Sequence, residues 1–243
     1  MGSGRSGAGG GGGGGGTTFR LPIFSFGHTA TNKPTTKSKV EAEVQRVIRN
    51  LKKEFLIRLF GSPVTRMTYE HLFTLNVEIF ENRGWNGIEK RYGVKGGSQC
   101  LYNWATVIAA KYDSEEPDEK VRDTVQVALE DFLVHALNMD ADVYRDGTSD
   151  KILARLDDRI FKSTSAFFLG HLIWRMLERH GEAMPDDVEI QLVDVAQDKA
   201  DEIVRGFDNK FHNKVYGDKR ITHRDLFLII QENMPWFIEE LRR

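Results

Sequence analysis

Residues 117–137, PDEKVRDTVQVALEDFLVHAL, place Val121, Val125, Ala128, Leu129, Phe132, Leu133, Ala136 and Leu137 three and four apart. That spacing returns to one side of a 3.6-residue turn, so it predicts an amphipathic helix with a broad apolar face. Pro117, behind Ser114-Glu115-Glu116, stands where a first-turn proline is tolerated, because its missing amide would have no helical partner there anyway.

The same period runs outward in both directions. Upstream, Val40, Val44, Val47, Ile48, Leu51, Phe55, Leu56 and Leu59 predict one long first helix, ended by Gly61-Ser62-Pro63. Thr68 is placed to cap a second helix bearing Leu72, Phe73, Asn76, Ile79 and Phe80 and closed by Gly84. A third, with Leu101, Trp104, Val107 and Ile108, follows Gly96-Gly97. Downstream, Asp140 to Gly147 reads as an acidic loop, and Ser149 or Asp150 as the cap of a helix from Lys151 to Phe161. Ser163 to Arg179 is an apolar helix ended by Gly181, with Gly170 marking a close approach. Pro185 opens a helix that Gly206 stops, Thr222 caps the next, and Met234-Pro235 leads into the last.

No pair of well-formed strands and no fixed-period repeat is legible, so the expected fold is all-α, a helical bundle or short helical array. Residues 38–243 form its single domain. Residues 1–37 read as a disordered glycine-rich arm, because the run Gly9 to Gly16 buries no apolar surface and is costly to order. Within the arm, Phe19 to Phe26 carries Leu21, Ile23, Phe24 and Phe26, a short apolar segment expected to dock on its own domain or on a partner. The opening Met-Gly-Ser-Gly-Arg-Ser fits the pattern for myristoylation at Gly2, and equally a low-complexity start or an expression-vector scar.

Of the 243 residues, 34 are Lys or Arg and 36 Asp or Glu, so no global field recruits nucleic acid or an anionic membrane, though a local patch could. Cys100 is the only cysteine, which excludes an intramolecular disulfide and fits a reducing compartment. With no apolar run of spanning length, the expectation is an intracellular protein of the cytoplasm or nucleus with no transmembrane segment.

Several motifs fail on their own chemistry. His223-Arg224-Asp225-Leu226 matches the start of a kinase catalytic loop, but Ile230 stands where that loop requires asparagine. The N-terminal glycines lack the lysine of a phosphate loop. Asp140, Asp142 and Asp146-Gly147 miss the calcium-loop pattern, with Tyr144 at a ligand position. Asp131 and His135 share a helix face four apart, yet no third metal ligand stands at a recognisable spacing. No cofactor, metal or catalytic residue is therefore expected.

Met67-Thr68-Tyr69-Glu70-His71-Leu72-Phe73, running on through Asn76 to Gly93, resembles the second helix of the first cullin repeat. Ile152 to Phe161 (ILARLDDRIF) is similar to a later helix of the same family, and Leu169-Gly170 with Trp174-Arg175 to the helix after it. His71 and Phe73 depart from the family pattern, and the region 94–150 does not align. The resemblance implies a docking face for BTB-fold or other ubiquitin-pathway proteins, built from Tyr69, Glu70, Leu72 and Phe73 on one helix and Asp158, Arg159 and Phe161 on another. Read from periodicity alone, Phe73 and Phe161 are equally well core residues and Arg159 a solvated charge.

The leading functional expectation is a non-enzymatic adaptor or scaffold, in the setting of ubiquitin ligation or cell-cycle control that the resemblance implies. The competing one is a self-assembling filament or coat subunit, a homo-oligomer whose arm packs on a neighbour. An enzyme assembled only in three dimensions would draw on His135, His171 or Asp131. A nucleic-acid role, less expected, would draw on Arg46, Arg49, Lys52, Lys53 and Arg58.

Overall fold

The computed structural model describes residues 36–80, 84–180 and 191–243, and the side chains of Phe161, Lys162 and Tyr216 are outside that set. Residues 1–35 of the expected arm, with its docking residues Leu21, Ile23, Phe24 and Phe26 and with Gly2, therefore lie outside the described residues, as do Gly181 and Pro185, whereas Lys37, assigned to the arm, is the first residue of a helix. The fold is all-α. Its helices are α1 (Lys37–Asn50), α2 (Lys53–Gly61), α3 (Pro63–Phe80), α4 (Asn86–Tyr92), α5 (Cys100–Ala109), α6 (Tyr112–Glu115) and α7 (Glu119–Ala136). They are followed by α8 (Ala141–Asp146), α9 (Ser149–Arg155), α10 (Asp158–Lys162), α11 (Thr164–His180), α12 (Leu192–Phe207), α13 (Leu226–Glu232) and α14 (Met234–Arg242).

Helix α11 is the axis of the domain. It is buried on nearly every side from Thr164 to Leu177, and it packs on α7 and α12 and reaches α1 and α3. A helix that is apolar most of the way round has to sit inside, because no single neighbour covers all its faces. Aromatic rings link the layers. Tyr69 of α3 meets Phe227 of α13 at 4.7 Å, Phe227 meets Phe168 of α11 at 5.6 Å, and Phe168 meets Phe132 of α7 at 6.4 Å.

The beginning and end of the domain close on each other. Helices α1 and α2 pack against α14, α1 also against α12, and α2 also against α13. This closure explains why the expected long first helix is two helices. Leu51 and Lys52 are extended, and the Leu51 carbonyl accepts a hydrogen bond at 2.9 Å from the Arg242 guanidinium. No glycine or proline marks the break; a contact from the far end of the chain satisfies the interrupted backbone.

Other boundaries shift for local reasons. Helix α3 starts at Pro63, so Thr68 is no cap: it is buried mid-helix, its hydroxyl 2.7 Å from that of Tyr112. The cap of α7 is Asp118, which accepts from the Lys120 amide, one position past Pro117. The expected acidic loop after α7 contains helix α8, whose start Asp140 caps by accepting from the Val143 amide. The helix expected from Lys151 to Phe161 is broken after Arg155, where Leu156 is extended, and resumes as α10. Gly206 does not stop α12. Beyond Phe207 the chain widens into a π turn, Asp208–His212, and only then reaches a minimal antiparallel hairpin pairing Val215–Tyr216 with Lys219–Arg220.

Gly170 is a close approach, as its position in an apolar helix implied. A Cβ there would fall 2.3 Å from Oε1 of Gln197 and 3.3 Å from its Cα. Absence of a side chain lets α12 lie close on α11. Cys100 is buried with its Sγ 3.6 Å from the Gly147 carbonyl, and burial pushes its thiol up to about 11, which leaves it inert at neutral pH.

Candidate functional site

The residues that the cullin resemblance singles out divide sharply by burial. Tyr69 and Leu72 are 1% and 0% exposed, so they are core residues and not contacts for a partner. They stand three apart on α3 and both turn inward. The Tyr69 hydroxyl donates to the His223 carbonyl at 2.8 Å. Glu70, on the outer face, is exposed and pairs with Arg66 at 3.1 Å. Phe73 is half-buried, and the guanidinium of Arg224 lies 5.2 Å from its ring centre.

Asp158 and Arg159 are exposed at the start of α10, where the Arg159 amide donates to the Asp157 carboxylate at 2.8 Å. The Phe161 side chain is outside the described residues. Helix α3 contacts the chain beyond the second segment: Asn76 donates to the hydroxyl of Thr164, the first residue of α11, at 3.0 Å. Arg224, which completes the exposed surface around Phe73, is not among the residues that the resemblance picks out. It belongs to the HRDL tetrapeptide, whose kinase reading fails, and no linear pattern connects it to α3.

That tetrapeptide forms a 3-10 turn, His223–Asp225, fixed by a capping box in which the Thr222 amide and hydroxyl both reach the Asp225 carboxylate, at 2.9 and 3.0 Å. The turn brings His223 over the π turn at the end of α12. His223 Nε2 lies 2.5 Å from Asp208 Oδ1, and His212 Nδ1 lies 3.3 Å from the same oxygen. The two imidazole rings are 5.3 Å apart, and His223 also packs edge-on against Phe207 at 5.7 Å. The three side chains are 41%, 38% and 42% exposed for Asp208, His212 and His223, so the cluster opens to solvent. His212 Nδ1 is itself buried and makes no hydrogen bond. The sequence signal was faint: Asp208 and His212 are four apart, with the third member separated from them by a hairpin.

A second polar group lies inside the domain. The Arg175 guanidinium forks onto both oxygens of Asp131, 2.8 Å from Nη2 to Oδ1, and also bonds Glu178. Arg175 and Asp131 are each 7% exposed, and Arg175 stacks on Trp174 at 4.0 Å. Asp131 and His135 thus have separate partners, Arg175 and His171.

Of the basic residues on the opening helices, Arg46 pairs with Glu43, Arg49 reaches the Arg242 carbonyl and Arg58 pairs with Asp118. Among the described residues no helix is long and apolar enough to cross a membrane.

No protein-family model, curated protein or solved structure matches the chain. The cullin resemblance rests on the quoted residues alone. Among the described residues, the fold and sites define an all-α domain in which exposed Arg224 lies over half-buried Phe73 of α3, and an open histidine–carboxylate cluster includes His223, the sequence neighbour of Arg224.

Proposed function

We propose that the protein is a non-enzymatic adaptor or scaffold of the cell interior that binds a protein partner through the exposed surface at Glu70, Phe73 and Arg224, with Asp158 and Arg159 as further contacts. The observation that carries this reading is the Phe73–Arg224 pair. A half-buried aromatic has its torsions restricted by the core beneath it, so docking on it costs little side-chain entropy. A guanidinium over the ring adds a cation held in place by the quadrupole, and aromatic and arginine side chains supply a large share of interface energy. Glu70 and Arg224, both exposed, give the surface both signs of charge, which serves orientation more than affinity. The partner that the cullin resemblance implies is a BTB-fold or other ubiquitin-pathway protein.

The test is affinity capture from cell extract with mass-spectrometric identification, comparing wild type with a Glu70→Lys/Arg224→Glu double variant whose circular dichroism is unchanged. Both substitutions avoid Tyr69 and Leu72, which would report on folding. The reading expects BTB-fold or related ubiquitin-pathway proteins with wild type and at least a roughly tenfold loss with the variant, as for a lost interface anchor. Recovery of the chain with itself alone, accompanied by concentration-dependent high-mass species, would replace it with the self-assembly reading.

A further inference from the structure

We propose that Asp208, His212 and His223 bind one divalent transition-metal ion of the zinc type. The donors are two imidazole nitrogens and a carboxylate oxygen, and these three atoms all lie within 4.8 Å of one another. Neutral imidazole with one carboxylate suits zinc, cobalt, nickel and copper, whereas magnesium and calcium take oxygen ligands. In a tetrahedral zinc complex with bonds of about 2.0–2.1 Å, ligand atoms stand roughly 3.3 Å apart. Asp208 Oδ1 and His212 Nδ1 already stand 3.3 Å apart. His223 Nε2, now 2.5 Å from the same oxygen, has to retreat by roughly 0.8 Å, a side-chain adjustment.

The His212 nitrogen supplies an independent argument. It is buried and has no hydrogen-bond partner, although it faces Asp208. A buried polar atom left unpaired costs free energy, and coordination would remove that cost. The backbone beneath the cluster is also unusual. Asp208 and His212 sit on a π turn that continues a 16-residue helix, a rare backbone form frequently found at functional sites. The third ligand is held from two directions, by the Tyr69 hydroxyl on the His223 carbonyl and by the Thr222–Asp225 capping box.

With three protein ligands and side chains about two-fifths exposed, the ion would keep an open fourth position for water. Coordination takes the His223 Nε2 lone pair that a proton occupies when this nitrogen donates to Asp208; that proton moves to solvent, and the Asp208–His223 hydrogen bond is exchanged for two metal–ligand bonds. The ion would tie the end of α12 to the turn preceding α13 and so close the hairpin loop 209–222. The proposal does not depend on the adaptor reading.

The test uses the full chain, free of any histidine tag and stripped with a chelator. Zinc is titrated by calorimetry and cobalt(II) by visible absorption, and histidine resonances are followed by nuclear magnetic resonance. The proposal expects one ion per chain, the visible band of a four-coordinate cobalt(II) complex, and shifts confined to the His212 and His223 rings. It expects His212→Gln and His223→Gln each to weaken zinc at least roughly tenfold, His180→Gln to leave it unchanged, and magnesium and calcium not to compete. If a glutamine variant loses helicity, Asp208→Asn takes its place, and the resonance shifts on wild type decide without any variant. Absence of saturable zinc binding, shifts at other histidines, or undiminished affinity in correctly folded variants would overturn the proposal.

Discussion

His135 Nδ1 and His171 Nε2 stand 3.0 Å apart between α7 and α11, and the remaining ring nitrogen of His171 is buried without a hydrogen-bond partner. Burial, with His135 and Arg175 beside it, holds the His171 imidazole down at about 3. Burial, with Lys111 and Arg91 nearby, lowers His71 to about 4, and burial lowers His135 and His180 as well. A histidine kept neutral in the fold contributes stability above its unfolded value of about 6.5. As pH falls from about 6.5 toward 3 the unfolded chain takes up the proton first, and stability is lost at up to about 1.4 kcal/mol per pH unit for a fully buried histidine. The urea midpoint is therefore expected to fall steeply between about pH 7 and pH 5, before most carboxylates titrate. His171→Gln should flatten that slope by up to one proton; an unchanged slope would show that His171 does not govern it.

The Asp131–Arg175 pair is expected to matter asymmetrically. Asp131→Ala leaves a guanidinium that is 7% exposed with Glu178 as its remaining carboxylate, and should cost about 3–5 kcal/mol in chemical denaturation. Replacing both members, as Asp131→Leu with Arg175→Met, removes the charges together and should recover most of that loss, because the cost lies in the unpaired charge. A double variant no more stable than Asp131→Ala would mean that the fork contributes net stability.

At Gly170, two effects oppose each other. Alanine gains about 1 kcal/mol of helix propensity, while its Cβ would require the Gln197 side chain to move away and would stand 3.3 Å from the Gln197 Cα. Gly170→Ala should consequently change stability by less than about 1 kcal/mol. Gly170→Leu has no such room and should destabilise by about 1–3 kcal/mol by forcing α11 and α12 apart. Thermal unfolding of the two variants separates the outcomes.

Tyr69→Phe removes the hydrogen bond to the His223 carbonyl while keeping the ring that packs on Phe227 and Phe168. The expected loss is about 1 kcal/mol, with faster amide hydrogen exchange in the turn around residues 222–225. Uniform acceleration across the domain instead would place the role of Tyr69 in global stability alone.

Much of the helical core is legible in linear spacing because an apolar stripe needs only the 3.6-residue period. The stripe of α7 is buried as the spacing implies, and so are Leu72 and Ile79 of α3 and Leu101 and Trp104 of α5. The errors fall where a local signal competes with a distant partner. Thr68 resembles a cap, yet its hydroxyl is satisfied by Tyr112; Leu51 carries no breaker signal, yet Arg242 ends a helix there. The docking residues implied by resemblance mixed inner and outer positions of a single helix, because a family motif records chain order and does not record which face a neighbour covers.

The sequence by itself determined the helical class and the glycine between two helices. Both are read from residues within a few turns of one another. Only tertiary structure decided that Tyr69 belongs to the core and Phe73 is half-buried, that Arg224 lies over Phe73, and that His223 meets Asp208 and His212. Those relationships arise when α13 and its preceding turn pack onto α3 and the end of α12, and contacts closed across such separations leave no periodic trace in the chain.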